Sequence, residues 1–374
     1  MEDFSKFDHE MMSRALHLAK KAIFSSAPNP AVGCVICVNG EVVGEGFTRP
    51  AGHNHAEVEA LGNSENTENA CVYVTLEPCS HQGRTGACAK ALIDAKVAKV
   101  IISTIDPNPL VAGKGIQMLR DAGIQVSCGL LEEQAIHLNR KFIKFVTQGI
   151  PWVTVKSASS IDGRTAMKSG ESQWITSPSA RADVQKLRAA HCAIITGVNT
   201  VMLDNPSLNL RISNNDLNVP DPIKHPARVI IDSNFSVRAD AKLFQSVGNV
   251  IIATLEGDKQ RQRSKAFNEL GVEVLFFESE DLQVPINSLL KRLAKKEFNS
   301  VLVESGATLA GAFVRKGLMD EFVCYFAPKI FGDTALPMLK LPIDSLDAHL
   351  ALSLEDIRHI GPDIRMTFTP DRDY

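Results

Sequence analysis

A chain of 374 residues is longer than one hydrophobic core normally serves, so two domains are expected. Apolar residues make up 44% and charged residues 22%, as in a folded globular protein, and a formal charge of −3 excludes the basic face on which nucleic-acid binding depends. No apolar run reaches the roughly 18 residues needed to cross a bilayer, and Met1-Glu2-Asp3-Phe4-Ser5-Lys6 has neither the basic nor the apolar region of a signal peptide, which leaves a cytoplasmic enzyme without membrane or nucleic-acid partners as the expected class.

From residue 8 to residue 24 apolar side chains recur at helical spacing, as at Met11, Ala15, Leu16 and Ala19, and the pattern breaks at Pro28-Asn29-Pro30. Two strands are expected next, 34–38 and 41–46, joined by Asn39-Gly40, the strongest short hairpin signal. Cys34 and Cys37 spell C-x-x-C, yet residues three apart on a strand point to opposite faces, so a shared redox or metal role is rejected. Eight cysteines without regular spacing make no disulfide framework, and Cys71, Cys128, Cys192 and Cys324 read as small buried hydrophobes.

The next stretch carries chemistry. His55-Ala56-Glu57 is answered downstream by Pro78-Cys79 and by Cys88. A histidine and two thiolates suit zinc, and three protein ligands leave the fourth tetrahedral position free for water, as in a catalytic site. Two thiolates and a neutral imidazole also cancel the charge of Zn²⁺, so the water can lose a proton without building a large local charge. Glu57 is the candidate base, and the layout matches the zinc-deaminase signature of H-x-E followed by P-C and a further Cys. Eight residues separate the two cysteines here, where that signature has two. Scattered His and Cys are more often packing residues, but the context favours a metal. Residues 72–76 read as a strand, so Cys79 falls just past its end, where open α/β sheets place ligands. Cys88 opens the helix former 87–93, and a helix N-terminus favours the thiolate. Helix geometry alone does not bring Glu57 to His55, because positions two apart differ by about 200° around the axis.

A parallel-type strand over 100–103, a turn at Asp106-Pro107-Asn108-Pro109 and a helix ending near Gly123 complete an α/β alternation with a hairpin at one side. A basic helical stretch, 136–146, then ends at Gly149, and Pro151 cannot continue it. Trp152-Val153-Thr154-Val155-Lys156 starts a strand, and a second core begins there: the expected domains are 1–148 and 149–374. In the second, Ala193-Ile194-Ile195-Thr196 runs into Gly197-Val198-Asn199-Thr200, and Val301-Leu302-Val303-Glu304 runs into Ser305-Gly306-Ala307-Thr308. Such glycine-containing strand-to-helix turns let a phosphate approach the backbone at a helix N-terminus, although many serve only connection. The spacing is not the G-x-G-x-x-G of a Rossmann fingerprint.

Pro28-Asn29-Pro30-Ala31-Val32-Gly33, His55-Ala56-Glu57, Glu77-Pro78-Cys79-Ser80-His81-Gln82-Gly83-Arg84-Thr85 with Cys88, and Asp106-Pro107-Asn108-Pro109 with Gly113 resemble the bifunctional riboflavin-biosynthesis deaminase/reductases. The long loop between the cysteines belongs to that family's pattern. The resemblance continues through Lys156-Ser157-Ala158-Ser159-Ser160-Ile161-Asp162-Gly163-Arg164, Gln173-Trp174-Ile175-Thr176 and Asp204-Asn205-Pro206-Ser207-Leu208 with Arg211, and so covers essentially the whole chain. It implies an α/β chain with an N-terminal cytidine-deaminase-like three-layer domain and a C-terminal dihydrofolate-reductase-like domain. The activities implied are hydrolytic deamination of a diaminopyrimidinone carrying a phosphoribosylamino group, and NADPH reduction of its ribosyl chain to ribityl.

Carried over by position, His55, Cys79 and Cys88 would hold one Zn²⁺ per chain, Glu57 would shuttle the proton, and Asn29 would hold substrate. Arg84 is either a phosphate contact or a solvated loop charge. Ala158, Trp174, Thr200, Asp204 and the loop Gly306, Ala307, Thr308, Leu309, Ala310, Gly311, Ala312 would contact NADPH; Lys156, Ser172, Arg188, Leu208, Arg211 and Glu304 would contact the phosphorylated pyrimidine. Arg188 and Arg211 suit phosphate because a guanidinium binds its oxygens bidentately, the plainer reading of each being a surface ion pair. Trp174 reads as a core aromatic or as a ring near the nicotinamide. Two departures from the family's pattern stand out: Gly86-Ala87 stands where Pro-Pro is common, and Thr48 stands in a segment where a histidine is usual. A homo-oligomer is expected. The rival readings are a tRNA-type base deaminase with an accessory domain, which would need a basic groove, and a non-catalytic protein with a structural zinc, for which His81 would be a fourth ligand.

Overall fold

Ser5 accepts the amide of Asp8 while Asp8 bonds back to Ser5, a capping box that starts the first helix, α1 (Lys6–Ala19). The computed structural model describes residues 3–80, 86–108, 111–279 and 281–371. It divides into two compact units, one of residues 1–150 together with 213–223, the other of 151–212 and 224–374.

In the first unit α1 is followed by β1 (Gly33–Val38), β2 (Glu41–Phe47), α2 (Ala56–Gly62), β3 (Cys71–Val74), α3 (Cys88–Asp94), β4 (Lys99–Ile102), α4 (Lys114–Asp121), β5 (Gln125–Cys128) and α5 (Glu132–Gln148). The strands form one sheet in the order β2-β1-β3-β4-β5, antiparallel at the β1–β2 hairpin and between β1 and β3, parallel from β3 to β5. Asn39 and Gly40 at the hairpin tip have φ of 50° and 83°, the positive values that their pairing in the sequence implies. Strand alternation separates two apolar layers. Cys34, Ile36, Val72, Val74, Val100 and Ile102 face α2, α3 and α4, while Val35, Cys37, Tyr73 and Ile101 pack with Met12, Ala15 and Leu18 of α1. Cys34 and Cys37 thus lie on opposite faces. Of Cys71, Cys128, Cys192 and Cys324 only Cys324 is fully buried, the other three are partly covered, and all eight cysteines are free of disulfides.

Helix α2 lies very close to β2. A Cβ at Gly44 would sit 2.5 Å from the Ala60 carbonyl oxygen and one at Gly46 would sit 2.3 Å from that of Ala56, so only glycine permits the approach. Residues 213–223, which include the short helix α8 (Asn214–Leu217), are anchored in this unit by Asp221, whose carboxylate accepts from Arg49 Nη1 at 3.2 and 3.3 Å. Arg49 also pairs with Glu59 of α2 at 2.6 Å.

The second unit opens with β6 (Trp152–Ser160), β7 (Arg164–Ala166), α6 (Pro178–Ala189), β8 (Ala193–Gly197) and α7 (Val198–Asp204). It continues, after α8, with β9 (Ala227–Ile231), β10 (Val250–Leu255), α9 (Asp258–Glu269), β11 (Glu273–Phe277), α10 (Ile286–Ala294), β12 (Ser300–Glu304), α11 (Ala307–Arg315), β13 (Glu321–Ala327), β14 (Leu336–Pro337), β15 (Leu352–Ile360) and β16 (Asp363–Pro370). Nine strands form one sheet, β11-β10-β9-β8-β12-β6-β13-β16-β15, parallel from β11 to β13 and closed by the antiparallel pair β16 and β15. The inner strands read as near-continuous apolar runs, as a parallel sheet covered on both faces requires. Because β8 and β12 are neighbours, the two glycine-containing strand-to-helix turns end side by side, and the Gly306 amide donates to Thr200 Oγ1 at 3.3 Å. Among the described residues no helix is long and apolar enough to cross a membrane.

Candidate functional sites

The first site is assembled from two helix starts and one turn. His55 is the N-cap of α2 with an extended backbone (φ −77°, ψ 166°), and Glu57 is the second residue of that helix. The two side chains are therefore not separated by 200° around a helix axis, since only Glu57 is helical. Cys88 is the first residue of α3, and its amide donates to Cys79 Sγ at 3.3 Å. His55 Nδ1 lies 3.7 Å from Cys79 Sγ and 3.3 Å from Cys88 Sγ, and one ligand atom from each residue lies within 4.8 Å of the others. Tetrahedral zinc with Zn–S of about 2.3 Å and Zn–N of about 2.0–2.1 Å needs an S···N edge of about 3.6 Å. The donor set fits that ion in chemistry and in spacing.

The charge states of these side chains are tied together. The hydrogen bond from the Cys88 thiol, followed by that to His55, pulls Cys79 down to about 4, even though burial opposes it. Cys88, as the donor in that bond and deeply buried, is pushed far up. The bond to Cys79 raises His55. Burial, with Cys79 adding to it, pushes the Glu57 carboxyl up to about 7, and a bound dication would draw it back down through its charge. Zinc needs both cysteines as thiolates, so its binding is coupled to loss of thiol protons. Purified protein is expected to carry about one zinc per chain and Cys88→Ser to lose it, because a hydroxyl replaces a soft thiolate and the charge balance breaks. Metal analysis checks this, and full zinc in the variant would point to another ligand.

Glu77, which the family motif includes without a role, supports this site. Its buried carboxylate accepts from the amides of Asp106 at 3.2 Å, Gly113 at 3.0 Å, Gly115 at 2.9 Å and Ile116 at 3.3 Å. It thereby caps the N-terminus of α4 from another element, where free N–H groups and the helix dipole favour an anion. The fit against the Cys79 turn is tight: a Cβ at Gly115 would lie 1.9 Å from the Pro78 oxygen. Its sequence signals are its place in that motif and a charge set between an apolar strand and Pro78. Asn29 lies in the segment after α1, its amide bonded to Ser26 O at 2.9 Å. The backbone just beyond it is held by three side chains: Asn139 on the Ala31 amide (2.8 Å), Thr48 on that of Val32 (3.1 Å) and Thr75 on that of Gly33 (3.1 Å). Arg84 and His81 lie outside the described residues.

The second site gathers around the C-terminal end of β12, where Glu304 is the register partner of Lys156 in the middle of β6. Arg188 of α6 meets Glu304 with Nε–Oε1 at 2.6 Å and Nη2–Oε2 at 3.0 Å, and Nη1 donates to the Asn209 carbonyl at 3.1 Å. This pair is buried, so the surface-ion-pair reading of Arg188 fails; two of its five N–H donors remain for a ligand. Burial alone would raise Glu304, but Arg188 and Lys156 outweigh it and hold the carboxyl below its usual range. Burial lowers the Lys156 ammonium, which also lies 5.9 Å from the Tyr325 ring; Tyr325 in turn donates to Asp183 at 2.7 Å. Arg211 is exposed, its amide bonded to Gln185 Oε1 at 2.9 Å. Leu208 is buried with φ of 47°, an unusual backbone for leucine.

Ser172 Oγ donates to Asp204 Oδ1 at 3.1 Å, which joins a residue expected on substrate to one expected on cofactor. Trp174 is 63% exposed and stacked under Arg181 at 4.4 Å, so it is not a core aromatic. Ala158 is partly buried on β6. The segment read as a loop is the start of α11, with Gly306 as its N-cap. Within it Ala310 packs in the core and Gly311 lies against the Lys340 backbone, which leaves the free amides of the first turn, with Ala307, Thr308 and Leu309, as the part suited to a phosphate; Ala312 is partly buried against the same core.

Comparison with known proteins covers both units. Residues 5–104 match the family model for the cytidine and deoxycytidylate deaminase zinc-binding region, and residues 151–366 match that for the RibD C-terminal domain. The chain is 44% identical to riboflavin biosynthesis protein RibD of Haemophilus influenzae, with 99% of each chain covered. The same protein of Escherichia coli is 44% identical over 96% of this chain and 98% of its own. Among solved structures, RibD of Acinetobacter baumannii superposes with a TM-score of 0.90 at 42% identity, covering 98% of this chain and 99% of that one. A deaminase/reductase of Thermotoga maritima, described as diaminohydroxyphosphoribosylaminopyrimidine deaminase and 5-amino-6-(5-phosphoribosylamino)uracil reductase, gives 0.85 at 30% over the same shares.

Proposed function

The chain belongs to the RibD family of bifunctional riboflavin-biosynthesis deaminase/reductases, and on that premise we propose which of its residues perform each step. The enzyme deaminates 2,5-diamino-6-(5-phosphoribosylamino)pyrimidin-4-one and reduces the ribosyl chain of the resulting uracil, with zinc and NADPH as cofactors. A base deaminase acting on tRNA is not favoured by full-length similarity to this family.

For deamination the supporting observation is the meeting of His55, Cys79 and Cys88 within 4.8 Å, with the buried Glu57 interacting with all three. Zinc, when bound by these three, makes a water nucleophilic near neutral pH. Glu57 takes the proton that the attacking water gives up and passes it to the amino group that leaves as ammonia. Asn29 orients the pyrimidine. Arg84 is retained as a phosphate contact on the strength of the family pattern alone.

For reduction the supporting observation is the group formed by Glu304 at the end of β12, its register partner Lys156 on β6 and Arg188 of α6, with the neighbouring turns at Gly197 and Gly306 joined by the Gly306–Thr200 hydrogen bond. NADPH, when bound, supplies the hydride. Thr200, Asp204, Ala158, Trp174 and residues 306–312 form its side of the site; Lys156, Ser172, Arg188, Leu208, Arg211 and Glu304 form the side for the phosphorylated substrate. Arg211→Ala is expected mainly to raise KM for the deaminated intermediate, because a distant phosphate contact acts in ground and transition states alike. Asp204→Ala should weaken NADPH binding instead. Both should leave ammonia release nearly intact. Steady-state kinetics of the two steps, with the intermediate supplied directly, tests this; a change in kcat alone for Arg211→Ala would remove its phosphate role.

The same reading places the enzyme in the cytoplasm as a homo-oligomer. Eight cysteines free of disulfides suit a reducing compartment. The outer strand β15 exposes Leu352, Leu354 and Ile357 on an open sheet edge, a surface that pairing with a second copy would cover.

A further inference from the structure

We infer that Asn139, on α5, is a positioning residue for deamination, acting through the segment that carries Asn29; the inference rests on Asn29 being a substrate contact. One carboxamide makes two bonds to one residue: Oδ1 accepts from the Ala31 amide at 2.8 Å, and Nδ2 donates to the Ala31 carbonyl at 2.9 Å. It serves Ala31 as a neighbouring strand would. The next two residues are held in the same two-way manner. Val32 gives its amide to Thr48 Oγ1 and its carbonyl accepts the Thr48 amide at 2.9 Å; Gly33 gives its amide to Thr75 Oγ1 and accepts the Thr75 amide at 3.1 Å.

Those lower two grips lie where β1 begins and belong to the sheet. Asn139 extends the grip one residue further toward Asn29, ahead of the start of β1. Its position in the middle of a helix, 3% exposed and facing a backbone 108 residues away, is otherwise unfavourable for an asparagine. Asn29 is two residues from Ala31, with Pro30 between them restricting the backbone, so a shift of Ala31 moves the Asn29 carboxamide with it. The Thr48 hydroxyl closes one of the three grips.

The test is a double-mutant cycle on the full-length zinc enzyme, with Asn29→Ala, Asn139→Ala and both together, reading kcat and KM for ammonia release. Zinc content and reduction of directly supplied intermediate serve as controls for folding. Asn139→Ala is expected to lower kcat/KM for deamination roughly 10- to 100-fold, in the range a displacement of about an ångström produces, with zinc and reduction unchanged. In the Asn29→Ala background the same substitution should have less than about a threefold effect, as expected of residues that act as one unit. Should Asn139→Ala prove poorly folded, Asn139→Asp carries the test, since it keeps the acceptor for the Ala31 amide and sets a carboxylate oxygen against the Ala31 carbonyl. Independent effects that multiply, or a neutral Asn139 variant beside an impaired Asn29→Ala, would overturn the inference while leaving Asn29 as a substrate contact. A neutral Asn29→Ala would overturn the reading of Asn29 itself, and the inference with it.

Discussion

Glu57→Gln keeps zinc and fold and lowers the rate of ammonia release by roughly 10²- to 10⁴-fold, the usual share of a general acid–base group. Glutamine matches the buried side chain in shape, so the packing of α2 against β2 is undisturbed. An amide cannot accept the proton of the attacking water nor return one to the leaving nitrogen. The ligand atoms of His55, Cys79 and Cys88 are untouched, and so are both glycine-containing turns of the second unit. Reduction of the deaminated intermediate should therefore proceed at the normal rate. Zinc analysis together with rates of both steps decides the matter. Near-normal ammonia release would remove Glu57 from its role, and loss of reduction with zinc and fold intact would require one shared site in place of two.

Glu304→Ala is expected to damage the second unit more than any other single change proposed for it. The substitution leaves Arg188 and Lys156 as two buried or half-buried cations without their common carboxylate, and breaking one side of a buried ion pair costs about 3–5 kcal/mol. The Arg188 guanidinium also loses two short hydrogen bonds, at 2.6 and 3.0 Å, and keeps only the Asn209 carbonyl. Reduction should be lost and the melting transition of this unit should fall, while ammonia release persists. Glu304→Gln separates charge from shape: it retains an acceptor, so it should recover part of the stability and little of the activity. A variant that melts like the parent would show that the pair contributes nothing to the fold.

What could be read from the sequence was what local pattern carries. The Asn39-Gly40 hairpin, the two apolar faces that separate Cys34 from Cys37, and the strand-to-helix passages at Gly197 and Gly306 each depend on residues within one or two turns of chain. So did the ligand set, since a thiol at the first position of a helix former and another just past a strand end can be placed from flanking residues. The family pattern then attached chemistry to these positions.

The tertiary structure decided everything that depends on distant partners. Glu57 reaches the His55, Cys79 and Cys88 cluster because His55 caps its helix in an extended conformation, a boundary that periodicity cannot place to the residue. Glu77 looked like one more carboxylate until the fold brought it amides from 29 to 39 residues downstream. Arg188 became a buried partner of Glu304 across 116 residues, Trp174 turned outward, and 213–223 joined the first unit in spite of lying within the second half of the chain. Propensity and alternation are set by each residue and its near neighbours, whereas the state of a buried polar group is set by whichever elements the folded core brings against it.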